Sequence, residues 1–359
     1  MSNLADKLQS PHVKTLTPYQ SARRLFSGGQ DWLNANESPF ANDYSVDASR
    51  FNRYPDCQPK TVIQSYAQYA GVEPEQLLVS RGADEGIELL IRGFCEAGKD
   101  NILICPPTYG MYAISAETFN VGVEKAPLKA DFSLDMDAIE SQVGKVKLVF
   151  ICSPNNPTGT QVDAESIHQT LALFKDKALV VVDEAYIEFA EGENWANKLA
   201  DYDNLVVLRT LSKAFGLAGL RCGFTLASPE IIEVLLKVIA PYPLAEPVAQ
   251  IAAQALSAQG LATIKQQVGE LNGLKTELRA ALSSRAEFEV LGDTQANFVL
   301  VRTEHKQGLM DALVEQGILV RDQSKQLYLD NCLRISVGDK AQNARLLAAI
   351  DAFFKQETA

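Results

Sequence analysis

The sequence is short of positive charge. Among 359 residues, 33 Lys and Arg stand against 45 Asp and Glu, a formal net charge of −12 at pH 7. A nucleic-acid surface needs a basic face, so the balance argues against DNA or RNA as a partner, while leaving room for a local basic pocket around a small anion. The surplus acid serves solubility. Metal-ligand spacing is missing too: three histidines, at 12, 168 and 305, form no pattern with the six cysteines at 57, 95, 105, 152, 222 and 332. There is no C-x-x-C pair. Reduced core thiols are therefore expected, with no disulfide framework and no metal site. No run approaches a membrane span, the opening M-S-N-L-A-D-K-L-Q-S has no apolar leader core, and repeats and low-complexity tracts are absent. The expectation is a cytoplasmic protein with no membrane partner.

What is present reads as an ordinary globular chain. With 47% hydrophobic and 22% charged residues it can bury a large core, and its length allows two or three domains. Residues 1–35 show little periodicity and suggest an arm, with a turn at S-G-G-Q (27–30), packing back on a small C-terminal unit. Helical patterns at 59–70 and 84–95 precede short apolar strands at 101–105, 147–152, 178–183, 204–209 and 222–227. Strands apolar on both faces and separated by helices indicate α/β architecture around a largely parallel sheet. Two helices follow P-Y-P (241–243), at 245–256 and about 262–284. Beyond them strands near 287–291, 297–302, 318–321 and 333–337, with helices near 306–316 and 340–354, make a small α/β unit. The division expected is an arm over 1–35, a large unit over 36–260 and a small unit over 261–359, the boundary lying in the long helix.

The chemistry collects at strand ends. P-P-T-Y (106–109), S-P-N-N-P-T-G (153–159), D-E-A-Y (183–186) and T-L-S-K (210–213) each follow a strand's carboxyl end, where open α/β sheets bind ligands. Lys213 lies 30 residues after Asp183, which lies 27 after Asn156. An amine, an acid and phosphate donors in this order suit pyridoxal phosphate. Lys213 is the residue able to form a reversible imine with the aldehyde and then to carry a proton. Asp183 ends a buried strand, and a pyridinium nitrogen would repay that burial. Tyr186 and Asn156 can reach the ring's hydroxyl, although Asn156 could be only a turn former. Thr210, Ser212 and Arg221 supply phosphate donors. The remaining donors are expected from the backbone of Ala83 and Asp84 at a helix start, the Asp84 carboxylate turning away to cap the helix. Tyr109 is placed to stack on the ring or to join the core. Arg321, ending G-I-L-V-R, and Arg334, facing inward with Ser336, need anionic partners, either substrate groups or buried carboxylates.

Together these residues resemble the aspartate-aminotransferase superfamily, fold type I, of pyridoxal-phosphate enzymes. Within it the chain is similar to the histidinol-phosphate aminotransferase family, through L-T-P-Y (16–19), L-N-A-N-E-S-P (33–39), R-Y-P-D (53–56), R-G-A-D-E-G (81–86), Q-A-N-F-V (295–299) and C-L-R-I-S-V-G (332–338). Ser38 departs from the asparagine common there. The resemblance implies a large domain built on a mostly parallel seven-stranded sheet, a smaller α/β domain, and a homodimer with shared active sites. Tyr54 would reach the partner subunit's cofactor phosphate. Arg334 would bind the α-carboxylate of glutamate or 2-oxoglutarate. Arg321 and Tyr19 would hold the phosphate of histidinol phosphate, with Asn34 and Asn36 lining the site. Rival readings are an aromatic amino-acid aminotransferase, a threonine-phosphate decarboxylase of the same fold, or a non-catalytic cofactor-binding regulator.

Overall fold

The computed structural model describes residues 3–18 and 28–357, so Tyr19 lies outside the described residues. The described strands are β1 (Asp31–Trp32), β2 (Leu77–Ser80), β3 (Asn101–Ile104), β4 (Gly122–Lys125), β5 (Leu148–Cys152), β6 (Leu179–Asp183), β7 (Leu205–Thr210), β8 (Gly223–Ala227), β9 (Glu289–Leu291), β10 (Phe298–Arg302), β11 (Ile318–Leu319), β12 (Arg321–Asp322) and β13 (Cys332–Ser336). Seven form one sheet in the order β2-β8-β7-β6-β5-β3-β4, with β8 antiparallel to both its neighbours and the remaining pairs parallel. This is the mostly parallel seven-stranded sheet that the resemblance implied.

Both faces of the sheet are covered, and the period of two along each strand decides what each face receives. Leu148, Phe150 and Cys152 of β5, Val181 of β6, and Val206 and Leu208 of β7 pack into one apolar layer, with helices Ala83–Phe94, Met111–Thr118 and Pro229–Val238. Val149, Ile151, Val180, Val182 and Val207 fill the opposite layer, which runs on into the core of the C-terminal unit. By the same alternation Asp183 and Thr210 share the first face with Val181 and Leu208, at the carboxyl ends of their strands.

The C-terminal unit is a four-stranded antiparallel sheet, β12-β13-β10-β9, with helices Lys306–Glu315 and Lys340–Glu357. One helix, Ala258–Ser283, runs unbroken from the large unit to β9 and buries Leu271, Leu274, Leu278 and Leu282. The N-terminal segment touches both units. Asp31 and Trp32 pair in parallel with Ile318 and Leu319, after Gly28 and Gly29 turn the chain at positive φ. The Asp31 carboxylate accepts two hydrogen bonds from Arg345, at 2.7 and 2.6 Å. Earlier in the segment, the His12 ring lies 3.3 Å from the carbonyl oxygen of Thr118, on the large unit.

Several elements differ from expectation. The expected strand 318–321 is two short strands: β11 pairs with β1, and after Val320 the chain joins β13 instead, so Arg321 opens β12 and does not end the earlier strand. The strands β2 and β4 and helix Met111–Thr118 carried no pattern strong enough to be singled out. β4 is a half-buried edge strand, G-V-E-K, with no apolar run to mark it.

Candidate active site

A cavity of about 320 Å³ opens at the carboxyl ends of β5, β6 and β7, beneath the small sheet. It brings together Asn34, Asn36, Ala83, Asp84, Tyr109, Asn156, Asp183, Tyr186, Thr210, Ser212, Lys213, Arg221, Arg321 and Arg334, all expected site residues, drawn from both units. Tyr54 lies elsewhere, 78% exposed and stacked on Tyr242 at 4.4 Å between ring centroids.

Lys213 follows β7 in a turn closed by hydrogen bonds from Gly216 N to Lys213 O and from Leu217 N to Leu211 O. Its Nζ donates to the Ala35 carbonyl at 2.9 Å. Burial lowers its pKa to about 8; the Arg334 and Arg221 guanidinium groups push the same way, while Asp84 and Glu37 oppose. A lysine so placed is partly neutral near physiological pH, the state a nucleophilic amine needs.

Asp183 is 2% exposed. The Tyr112 hydroxyl donates to its Oδ2 at 2.6 Å and the Ala185 amide to its Oδ1 at 3.1 Å. Burial raises its pKa to about 6 against these two donors. The turn after β6 is anchored from the opposite face. Glu184 accepts from Arg209 Nε at 2.9 Å, from Arg209 Nη2 at 2.7 Å and from the Trp195 amide at 2.7 Å. Tyr186 accepts a hydrogen bond from Asn36 Nδ2 at 2.9 Å, and burial holds its hydroxyl protonated.

Donors gather at the start of helix Ala83–Phe94. Gly82, at φ 81°, caps it without a side chain, leaving the first amides to other acceptors. A Cβ at Gly82 would lie 2.8 Å from Arg221 Nη2, and one at Gly223 would lie 2.4 Å from the Ala83 nitrogen. Glycine at both positions lets the guanidinium, strand β8 and the helix start converge. Ser212 Oγ accepts from Thr210 Oγ1 at 2.9 Å and from Arg221 Nη1 at 3.4 Å. Asp84 does not cap the helix as expected. Its carboxylate accepts from the Tyr109 hydroxyl at 2.9 Å and from Arg221 Nη2 at 3.2 Å, because a cation and a phenol are within reach and offset its charge.

The small sheet supplies the far wall. Arg321 and Arg334 are direct partners across the β12–β13 ladder. Like charges opposite one another disfavour pairing, and an anion at that wall would offset the repulsion. Arg334 Nη1 donates to Asn156 Oδ1 and Nη2 to the Asn34 carbonyl at 2.9 Å, while its guanidinium lies 5.4 Å from the centroid of the Phe298 ring.

Several contributors were not singled out in the sequence. Thr108, Cys152, Gln323 and Gln326 line the cavity, and Tyr112 stands behind Asp183. Gln323 was legible, being two residues after Arg321 on the same side of an extended segment. Tyr112 lies inside an unrecognised helix and left no signal. Asn155 joins two motifs: its Oδ1 accepts from Thr108 at 2.9 Å, and its Nδ2 donates to the Pro107 carbonyl at 2.9 Å.

The donor set fits the pyridoxal phosphate expected from the sequence. A partly neutral amine, a buried acid, a helix start without a side-chain cap backed by an arginine and two hydroxyls, and two further arginines meet in one cavity.

The chain belongs to the class I and II aminotransferases, whose family model matches residues 28–350. More particularly, it is 63% identical over 362 residues to the histidinol-phosphate aminotransferase of Pseudoalteromonas atlantica, covering 100% of this chain and 98% of that protein. It is 54% identical over 349 residues to that of Yersinia pseudotuberculosis, covering 97% and 91%. Among solved structures it resembles the histidinol-phosphate aminotransferase of Sinorhizobium meliloti in complex with pyridoxal-5'-phosphate, with TM-score 0.86 and 23% identity over 97% of this chain and 98% of that one, a likeness of fold.

Proposed function

We propose that the chain is a pyridoxal-phosphate-dependent aminotransferase exchanging an amino group between L-histidinol phosphate and 2-oxoglutarate, in histidine biosynthesis. In the biosynthetic direction it would convert imidazole acetol phosphate to histidinol phosphate at the expense of glutamate. It would work as a cytoplasmic homodimer; among the described residues no helix is long and apolar enough to cross a membrane. Bound in the cavity, pyridoxal phosphate supplies an aldehyde to receive the amino group and a ring to withdraw electrons as the α-proton leaves.

The chain's own residues do the rest. Lys213 holds the cofactor and then moves the proton between substrate carbon and cofactor. Asp183 keeps a proton on the ring nitrogen, each pK unit of that bias being worth about 1.4 kcal/mol. Tyr186 and Asn156 would hydrogen-bond the ring's hydroxyl, and Tyr109 would stack on the ring. The amides of Ala83 and Asp84, with Thr210, Ser212 and Arg221, bind the phosphate, to which the partner subunit's copy of residue 54 adds a hydroxyl. Arg334 holds an α-carboxylate, Arg321 and Tyr19 hold a phosphate, and Asn34 and Asn36 line the substrate side.

The observation that carries this reading is the pair of arginines facing each other on β12 and β13, at the cavity that holds Lys213 and Asp183. Glutamate has an α-carboxylate and histidinol phosphate has none, so one site serving both needs separate anion anchors. A charge-assisted contact is worth roughly 1.5–3 kcal/mol, or about ten- to a hundred-fold. Arg334→Ala is expected to slow the glutamate half-reaction by that factor and to spare the phosphorylated amine. Arg321→Ala is expected to weaken histidinol phosphate most, with some loss for glutamate through its side-chain carboxylate. Single-turnover kinetics on each half-reaction, with phenylalanine as a competing donor, checks this. Equal slowing of both half-reactions by Arg334→Ala would favour an ordinary amino-acid pair.

A further inference from the structure

Behind the acid that faces the cavity lies a tyrosine to which neither motif nor family resemblance drew attention. Tyr112 is fully buried, in helix Met111–Thr118. Its ring is stacked on Phe150 at 4.8 Å and 15°, and Tyr109 meets it edge-on at 5.6 Å. Confined on both sides, its hydroxyl donates to Asp183 Oδ2 at 2.6 Å, while the Ala185 amide occupies the other oxygen.

We propose that Tyr112 is a positioning residue: its hydroxyl fixes the Asp183 carboxylate in its charged form and in one orientation for the ring nitrogen of the bound cofactor. The proposal rests on the reading that this cofactor is pyridoxal phosphate. Without an ionised carboxylate the ring nitrogen has no counter-charge, and the site is built in a way that threatens ionisation. Burial is the largest threat, and the charges of Asp84, from helix Ala83–Phe94, and of the adjacent Glu184 add to it. Cys152, opposite Asp183 on β5, gives no compensating charge, since burial and Asp183 itself keep its thiol protonated. Tyr186, three residues on, is likewise held neutral by burial. Against these stand Tyr112 and the Ala185 amide. The amide belongs to the backbone, so Tyr112 is the half of the support that a side-chain change can remove. Its own proton is secure, because burial and the neighbouring Asp183 raise its pKa well above the ordinary value, and it remains a donor.

Two changes at position 112 move the acid in opposite directions if the hydroxyl acts this way. Tyr112→Phe keeps the ring and removes the donor; 3,5-difluorotyrosine at the same position makes a stronger donor. Asp183 is titrated in the full chain freed of cofactor, by infrared difference spectroscopy of its carboxyl band, with Asp183→Asn to assign the band. The expected result is a rise of about one unit with phenylalanine and a fall with difluorotyrosine. In the loaded enzyme Tyr112→Phe should lower kcat about tenfold with little change in KM. A purely structural tyrosine would leave the titration unmoved or shift it the same way in both variants, and either outcome overturns the proposal. Should the phenylalanine variant fail to fold, the difluorotyrosine arm decides alone: a fall supports the proposal and no fall overturns it. Failure of the unaltered chain to take up pyridoxal phosphate overturns the functional reading instead, and the titration still judges Tyr112.

Discussion

A lysine with a pKa of about 8 is about one-tenth neutral at pH 7, whereas an ordinary lysine is neutral less than one time in a thousand. Since its pKa is lowered, the neutral and reactive fraction of Lys213 grows as pH rises and levels off above 8. Capture of pyridoxal phosphate by the cofactor-free chain, trapped with borohydride and located by peptide mapping, should accelerate about tenfold per unit up to pH 8 and then flatten. A rate that climbs unchanged to pH 10 would mean that an ordinary amine is being trapped. Most residues of the cavity were legible because their chemistry is unusual where they stand: a lysine behind two hydroxyl residues, an acid closing an apolar strand. Asp84 was legible as a position but not as a contact, because the Tyr109 hydroxyl and Arg221 that donate to it come from segments far along the chain.

At the scale of elements, alternation along β6 and β7 aims Asp183 and Thr210 to one side, and β5 brings Cys152 beside the acid. Apolar runs made these strands readable, and readable strands made the site readable. The edge strand β4 and the break between β11 and β12 were not, because tertiary pairing decides them. A close fit between elements that bears on the site is at Gly223, where β8 passes the start of helix Ala83–Phe94. Gly223→Ala would put its Cβ 2.4 Å from Ala83 N and from the Gly82 carbonyl carbon, backbone atoms that no rotamer change can move away. The variant should be destabilised by about 1–3 kcal/mol, and it should release pyridoxal phosphate more readily than the unaltered chain. Thermal unfolding with and without added cofactor checks both, and an unchanged midpoint and affinity would show that the helix start can retreat.

For the whole molecule, helix Ala258–Ser283 and the apolar layer running from the large sheet into the small unit make the two units one packed body. The proposed arm, large and small units therefore describe topology more than independence. The expectation of a dimer rests on the resemblance at R-Y-P-D (53–56), not on any charge or hydropathy pattern. Tyr54 and Tyr242, stacked and exposed, give the shared-site proposal a testable handle. Mixed with subunit exchange, the inactive variants Lys213→Ala and Tyr54→Ala should form hybrid dimers that contain one intact site and recover a fraction of activity. Exchange demonstrated without any recovery would separate Tyr54 from the neighbour's chemistry.

The walls of the cavity also set a timetable for the ribosome. Asn36 N donates to Ser336 Oγ at 2.8 Å, Arg334 to the Asn34 carbonyl, and Asn297 Nδ2 to the Asn36 carbonyl at 3.0 Å, contacts that span 261 to 300 positions. The segment that carries Asn34 and Asn36 is synthesised some 300 residues before β13, the strand on which it is seated. The large sheet and Lys213 are synthesised long before then, but the reaction chamber stays without a wall. A polypeptide without the Cys332–Ser336 strand therefore lacks the partners of Asn34 and Asn36, and the cavity gains that wall only once these two distant segments meet.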